Sequence, residues 1–134
     1  MLKYSGFIDN IYMPATPSTP ATDFDYEKGI LHLSGRSLEN NAVHFFNPLI
    51  NWVDEYIMHP RLQTTLHLNL EYLNTPSSKC LLTINHKLKY LKDSGRSLTV
   101  IWEYDAEDED MLQNGQTYSD MLQMPFEFIE GQEA

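Results

Sequence analysis

Apolar and polar residues alternate over Phe24-Asp25-Tyr26 and again over Ile30-Leu31-His32-Leu33, with Glu27-Lys28-Gly29 between the two runs. Period-two segments flanking a Gly-containing turn predict a β-hairpin, and Ser34-Gly35-Arg36-Ser37 closes its second strand. The period then changes. Val43, Phe46, Ile50, Val53 and Ile57 recur at alternating steps of three and four residues, which predicts a long helix with these five on its apolar stripe. Asn40 or Asn41 is its N-cap, the chain leaves it near His59-Pro60, and Pro48 is expected to kink it or split off its first turn.

Leu66, Leu68, Leu70 and Tyr72 alternate with His67, Asn69 and Glu71, which describes a strand with one core face. A second helix follows, with Leu81, Ile84, Leu88 and Leu91 on its stripe and Ser94-Gly95 at its end. Pro76 suits the first helical position, which makes Thr75 the expected N-cap, its hydroxyl turned to the backbone N–H of Ser77 or Ser78. Leu98, Val100, Trp102 and Tyr104, with Ile101 opposite, form the most apolar strand, expected inside the sheet. A short helix over Tyr118 to Leu122 and a last strand over Pro125 to Ile129 complete the pattern.

The order β-β-α-β-α-β-α-β predicts an α/β (α+β) domain: a mixed sheet of about five strands with two long helices and a shorter third packed on it. Pro14, Pro17 and Pro20, interleaved with Thr16, Ser18, Thr19 and Thr22, make residues 1–22 an extended lead-in over the domain surface. The domain proper then spans 23–130, and 131–134 is a tail. Ser-Gly-Arg-Ser-Leu occurs at 34–38 and at 94–98, first leading from strand into helix and then from helix into strand. It is turn chemistry rather than duplication.

Composition narrows the function. A length of 134 residues with 42% hydrophobic positions supports one core and rules out two ordinary domains. No stretch reaches the length of a membrane span, and Met1 to Gly6 lack the apolar run of a signal peptide, so a cytoplasmic protein is the expectation. One cysteine, Cys80, excludes an internal disulfide and any multi-Cys metal site. The net charge of −10 is unevenly placed: nine acidic and nine basic residues precede Glu103, and ten acidic residues with no Lys or Arg follow from there. Nucleic acid and anionic membranes bind through clustered Lys and Arg, so neither is expected as a partner; a protein with a basic patch is.

Catalytic chemistry finds little support. The five histidines stand at no metal-ligand spacing, and there is no nucleophile elbow, phosphate-binding Gly-rich loop or Cys-x-x-Cys. Neither a metal nor a cofactor is expected. His67 beside Glu71 reads as an exposed or cross-strand polar pair before it reads as an acid/base pair, and Cys80 reads as a buried structural thiol. Counted from Asp105, the acidic run to Asp110 has Asp110 and Gln116 where an EF-hand needs Gly and Glu, which leaves a solvated loop or a docking segment over Glu107, Asp108, Glu109 and Asp110. The turn Asn74-Thr75-Pro76-Ser77-Ser78-Lys79 admits two readings. One is a plain helix cap; the other is a hydroxyl exposed at a helix N-terminus, where a phosphate would meet N–H groups and the positive dipole end.

Several segments together resemble the SiaC family of bacterial regulatory phosphoproteins. They are Thr16-Pro17-Ser18-Thr19-Pro20 with Phe24-Asp25, Leu33-Ser34-Gly35-Arg36-Ser37 with Glu39-Asn40, and Phe46 through Trp52 to Tyr56. Leu70 to Thr75, Ser77 to Cys80, Trp102 to Asp105, Glu109-Asp110-Met111 and Pro125-Phe126 complete the set, from Pro14 to Ile129. The resemblance implies a STAS-like fold and a non-enzymatic switch. A dedicated protein kinase phosphorylates a Thr at the strand-to-helix turn, a phosphatase reverses it, and the unmodified form activates a diguanylate cyclase, raising cyclic di-GMP and biofilm formation. Here the phosphoacceptor would be Thr75, with Asn74, Pro76, Ser77, Ser78 and Lys79 forming the partner-binding surface. In the family pattern a Ser follows the Thr, whereas Pro76 stands here, so Ser77 and Ser78 are secondary candidates. The alternatives are a STAS-like regulator of an anti-sigma or serine-kinase protein, and a small-ligand-binding domain.

Overall fold

The computed structural model describes residues 8–131; the start of the expected lead-in (1–7) and the end of the expected tail (132–134) lie outside the described residues. Six strands form one sheet in chain order: β1 (Ile11–Met13), β2 (Ala21–Asp25), β3 (Ile30–Ser37), β4 (Gln63–Leu73), β5 (Ser97–Tyr104) and β6 (Glu127–Glu130). The helices are α1 (Ala42–Met58), α2 (Thr75–Asp93) and α3 (Glu109–Leu122). The strands from β1 to β3 pair antiparallel, and those from β3 to β6 pair parallel. Parallel neighbours need a crossover, and each helix supplies one. All three crossovers step in the same direction, so their common right-handedness sets the helices on one face of the sheet.

That face holds the core. Phe24, Leu31, Leu33, Leu66, Leu68, Val100 and Trp102 point into it, against Leu81, Ile84, Leu88 and Leu91 of α2. The hairpin and the α2 stripe therefore match the pattern, and β5 pairs on both sides, as expected of an internal strand. The sheet also takes in part of the Pro-rich segment. Ile11–Met13 is a sixth, edge strand paired with Thr22 to Phe24, and it stops at Pro14, which cannot donate to a ladder.

Four expectations need correction. The buried face of α1 is Ala42, Phe46, Leu49, Trp52, Val53 and Tyr56, while Val43 is 54% exposed and Ile50 and Ile57 are only partly buried. The aromatic rings decide this rotation: Trp52 stacks on Tyr56 with centroids 5.1 Å apart and meets Phe24 at 5.2 Å. Pro48 does not divide the helix, which runs on from Ala42 to Met58 under the cap of Asn41. Tyr72 faces outward because the β3–β4 register skips Glu71: Gly35 pairs with Leu70 and Arg36 with Tyr72. This bulge breaks the alternation, so Glu71 and Tyr72 are both exposed.

The fourth correction concerns α3, which runs from Glu109 to Leu122 rather than over Tyr118 to Leu122. Asp108 caps it, Oδ1 accepting from the Met111 N–H at 3.0 Å, and Glu109 and Asp110 occupy its first turn, where carboxylates suit the dipole. Gly115 lies inside this helix. A Cβ there would lie 2.6 Å from Trp102 Nε1, so only glycine lets α3 approach the indole, whose N–H donates to Met111 O at 3.0 Å.

Candidate functional site

Strand β4 runs into α2 at the end of the sheet where the parallel strands finish. Asn74, in extended conformation, is the N-cap, correcting the assignment of that role to Thr75. Its Oδ1 accepts from the Ser77 N–H at 2.9 Å, and its carbonyl accepts the first intrahelical bond, from the Ser78 N–H, at 2.9 Å. Its Nδ2 donates to Glu39 O at 3.1 Å and its N–H to Ser37 O at 3.0 Å, so the cap is tied to the β3–α1 loop as well.

The three hydroxyls of the turn have different fates. Ser77 is fully buried, exchanging hydrogen bonds with the Ser37 hydroxyl at 2.6 Å and the Ser37 carbonyl at 3.4 Å. Burial and two partners put it out of reach of a modifying enzyme. Ser78 is half-buried, and its hydroxyl meets the Tyr118 hydroxyl of α3. Thr75 is exposed, and its hydroxyl has no partner among the described residues; Pro76 and Lys79 beside it are exposed too.

An anion on Thr75 would find little help in the helix. Pro76 has no N–H, and the Ser77 and Ser78 N–H groups are taken by Asn74. The Thr75 N–H and the Lys79 ammonium are what remain, so the first turn does not offer the set of free donors read from the sequence.

The acidic segment lies at the same end of the sheet. An open groove of about 600 Å³ is walled by Glu71, Glu103, Asp105, Glu107 and Asp108, with Gly131 at its rim. Glu71 belongs both to this wall and to the strand that delivers Thr75. Asp105 Oδ1 accepts from the Glu107 N–H at 2.9 Å, which folds the loop. Glu107 and Asp108 thus line the groove, whereas Glu109 and Asp110 sit on the exposed start of α3.

His67 does not pair with Glu71. Residues four apart in a strand are separated by about 13 Å, and His67 Nε2 instead meets Glu103 Oε1 of β5 at 2.7 Å. The His67 ring also packs on His32 at 4.6 Å, where burial, and next the neighbouring imidazole, lower the His32 pKa. No hydroxyl or thiol is hydrogen-bonded to this pair among the described residues, so it lacks the nucleophile of a catalytic triad. Cys80 is buried, and burial pushes its thiol pKa up, away from reactivity. No group of His, Cys, Asp and Glu among the described residues is placed to hold a metal ion, and no described helix is long and apolar enough to cross a membrane.

The Thr75 hydroxyl is thus exposed at the turn into α2, and Glu71 of the strand that delivers it lines an acidic groove. The family model that matches residues 13–131 is that of a regulatory phosphoprotein. That family is SiaC, and the chain belongs to it. An uncharacterized protein of Pseudomonas aeruginosa (strain UCBPP-PA14) is 29% identical over 89% of this chain and 94% of its own length. Apo-SiaC of Pseudomonas aeruginosa superposes with a TM-score of 0.85 at 28% identity, covering 91% of this chain and 99% of that one. The crystal structure of the diguanylate cyclase SiaD in complex with its activator SiaC, from the same organism, matches at a TM-score of 0.84 and 29% identity, over 90% of this chain and 99% of the matched one.

Proposed function

We propose that this chain is a cytoplasmic, non-enzymatic activator of a diguanylate cyclase, switched off by phosphorylation of Thr75 and thereby controlling cyclic di-GMP and biofilm formation. The observation that carries the reading is the exposed Thr75 hydroxyl, without a partner among the described residues, beside the buried Ser77 and the half-buried Ser78. A protein kinase transfers the γ-phosphoryl group of ATP to Thr75 Oγ1: the bond to ADP breaks, the new P–O bond forms, and the hydroxyl proton passes to the kinase's base. A phosphatase returns the hydroxyl by hydrolysis.

The switch is electrostatic. Phosphorylation adds about −1.5 to −2 charges at Thr75. The helix neutralises little of this, since its first N–H groups are engaged, and the groove beyond Glu71 is acidic already. In a closed interface the phosphate would be buried without a partner, which costs roughly 3–5 kcal/mol when a charge is left uncompensated. The cyclase would be released while the domain stays folded. Asn74, Pro76, Ser78 and Lys79 border Thr75 in this interface, and Glu107, Asp108, Glu109 and Asp110 dock a basic patch of the partner.

Isothermal titration of the purified cyclase tests this. Thr75→Ala should bind within about twofold of wild type, Thr75→Asp at least about tenfold more weakly, and neutralising Glu107 to Asp110 should flatten the salt dependence. Equal affinities for Thr75→Ala and Thr75→Asp would refute the switch.

A further inference from the structure

Thr75 is held from outside its own helix. Its side chain makes no hydrogen bond among the described residues, its neighbour Pro76 has no N–H, and the backbone before it is fixed by Asn74, whose amide donates to Glu39 O at 3.1 Å. Glu39 is itself gripped by a distant segment. Its Oε2 accepts from the Ser18 hydroxyl at 3.1 Å, and the adjoining Leu38 N–H donates to Ser18 O at 2.9 Å.

The segment carrying Ser18 is a built turn, exposed at Thr16 and Pro17, part-buried at Ser18 and Thr19 and buried at Pro20. The Thr16 N–H donates to Thr19 O at 3.0 Å, Thr16 Oγ1 accepts from the N–H groups of Ser18 at 3.2 Å and Thr19 at 2.9 Å, and the two threonine hydroxyls meet at 2.6 Å. Pro17 and Pro20 stiffen it further. Three parts far apart in sequence, residues 16–20, residues 37–39 and Asn74, thus meet in one hydrogen-bonded chain that ends at the residue before the proposed phosphoacceptor.

On the reading that Thr75 is that acceptor, we infer that Ser18 and Glu39 are positioning residues for its phosphorylation: they clamp Asn74 and so aim the Thr75 hydroxyl at the kinase. Phosphoryl transfer depends on in-line placement of the attacking oxygen, so loosening the clamp slows the chemical step more than it weakens docking.

The test compares Ser18→Ala and Glu39→Ala with Ser18→Thr and Glu39→Gln, which keep the hydroxyl and the acceptor oxygen. Phosphorylation by the cognate kinase with ATP, read by intact mass and site mapping, should show kcat reduced about fivefold in the two alanine variants, KM nearly unchanged, and recovery in the conservative pair. Amide hydrogen exchange of the free protein is the second readout. The alanine variants should exchange faster over residues 74–78, and the conservative ones should not. Unchanged exchange overturns the clamp whichever residue is modified, and faster exchange with unchanged kcat overturns its role in phosphorylation. Raised KM in Glu39→Gln as well as Glu39→Ala also overturns it, because the carboxylate would then be touching the kinase directly. Wild-type protein modified elsewhere than at Thr75 refutes the switch, while exchange still decides the clamp.

Discussion

The two residues at the start of α2 separate the cap from the proposed switch, and Asn74→Ala and Thr75→Ala should behave very differently. Asn74→Ala deletes the acceptor of the Ser77 N–H and the donor to Glu39 O. Loss of an N-cap costs about 1 kcal/mol, and loss of a second, part-buried hydrogen bond about 1 more. The sum of about 2 kcal/mol should lower the urea midpoint by about 1 M and the melting temperature by roughly 7 °C. Thr75→Ala removes a hydroxyl that has no partner among the described residues from an exposed first-turn position, where alanine is the better helix former. Its effect should stay within about 0.5 kcal/mol. Urea titration followed by tryptophan emission suits the measurement, since Trp52 and Trp102 are both buried in the folded domain. Asn74→Ser, which keeps a capping oxygen and loses the amide donor, should fall between the two. A cost for Thr75→Ala as large as that for Asn74→Ala would make threonine the cap and refute the assignment. The expected neutrality also makes Thr75→Ala a clean functional probe, because a change in partner binding could not be ascribed to unfolding.

Three further outcomes follow from the packing and the buried groups. Gly115→Ala places a Cβ 2.6 Å from the Trp102 indole and should cost about 1–3 kcal/mol with a changed tryptophan emission; unchanged stability would mean that α3 is free to shift. His32, facing His67, Asp23 and Glu103 across the sheet, has a pKa below its ordinary 6.5, so the unfolded chain takes up the proton first. Its contribution is full above about pH 6.5 and is lost as pH falls through the folded-state value. The urea midpoint should therefore drop less on acidification in His32→Gln than in wild type, and parallel curves would contradict the assignment. Cys80, with its thiol pKa raised by burial, should be alkylated by iodoacetamide far more slowly in the native protein than in urea; equal rates would place it at the surface.

Much of the architecture was legible in local pattern, because alternation and helical spacing record which face of an element is apolar. Leu66, Leu68 and Leu70 declared β4, and Leu81, Ile84, Leu88 and Leu91 declared α2, since each series repeats at the period of its own element. The failures share a cause. Val43 and Ile57 lost their places to Trp52 and Tyr56 because ring packing against Phe24 outweighed β-branched spacing. Tyr72 turned outward at a bulge that only the pairing with β3 reveals. Helix α3 extends back past Gly115, where glycine alone lets it close on Trp102, a contact that no local pattern records.

The site divides in the same way. The sequence by itself determined that a strand turns into a helix between Leu73 and Ser77, that hydroxyls cluster there, and that the negative charge gathers after Trp102, since these are properties of short segments and of composition. Only the tertiary structure decided which hydroxyl is free and which charges stand near it. Ser77 is sealed by Ser37, 40 residues away in sequence, Asn74 takes the cap and reaches back to Glu39, and Glu107 joins Glu71 in one groove at the end of the sheet. Solvent access and electrostatic potential are sums over neighbours in space, and a chain does not acquire those neighbours until its strands have paired.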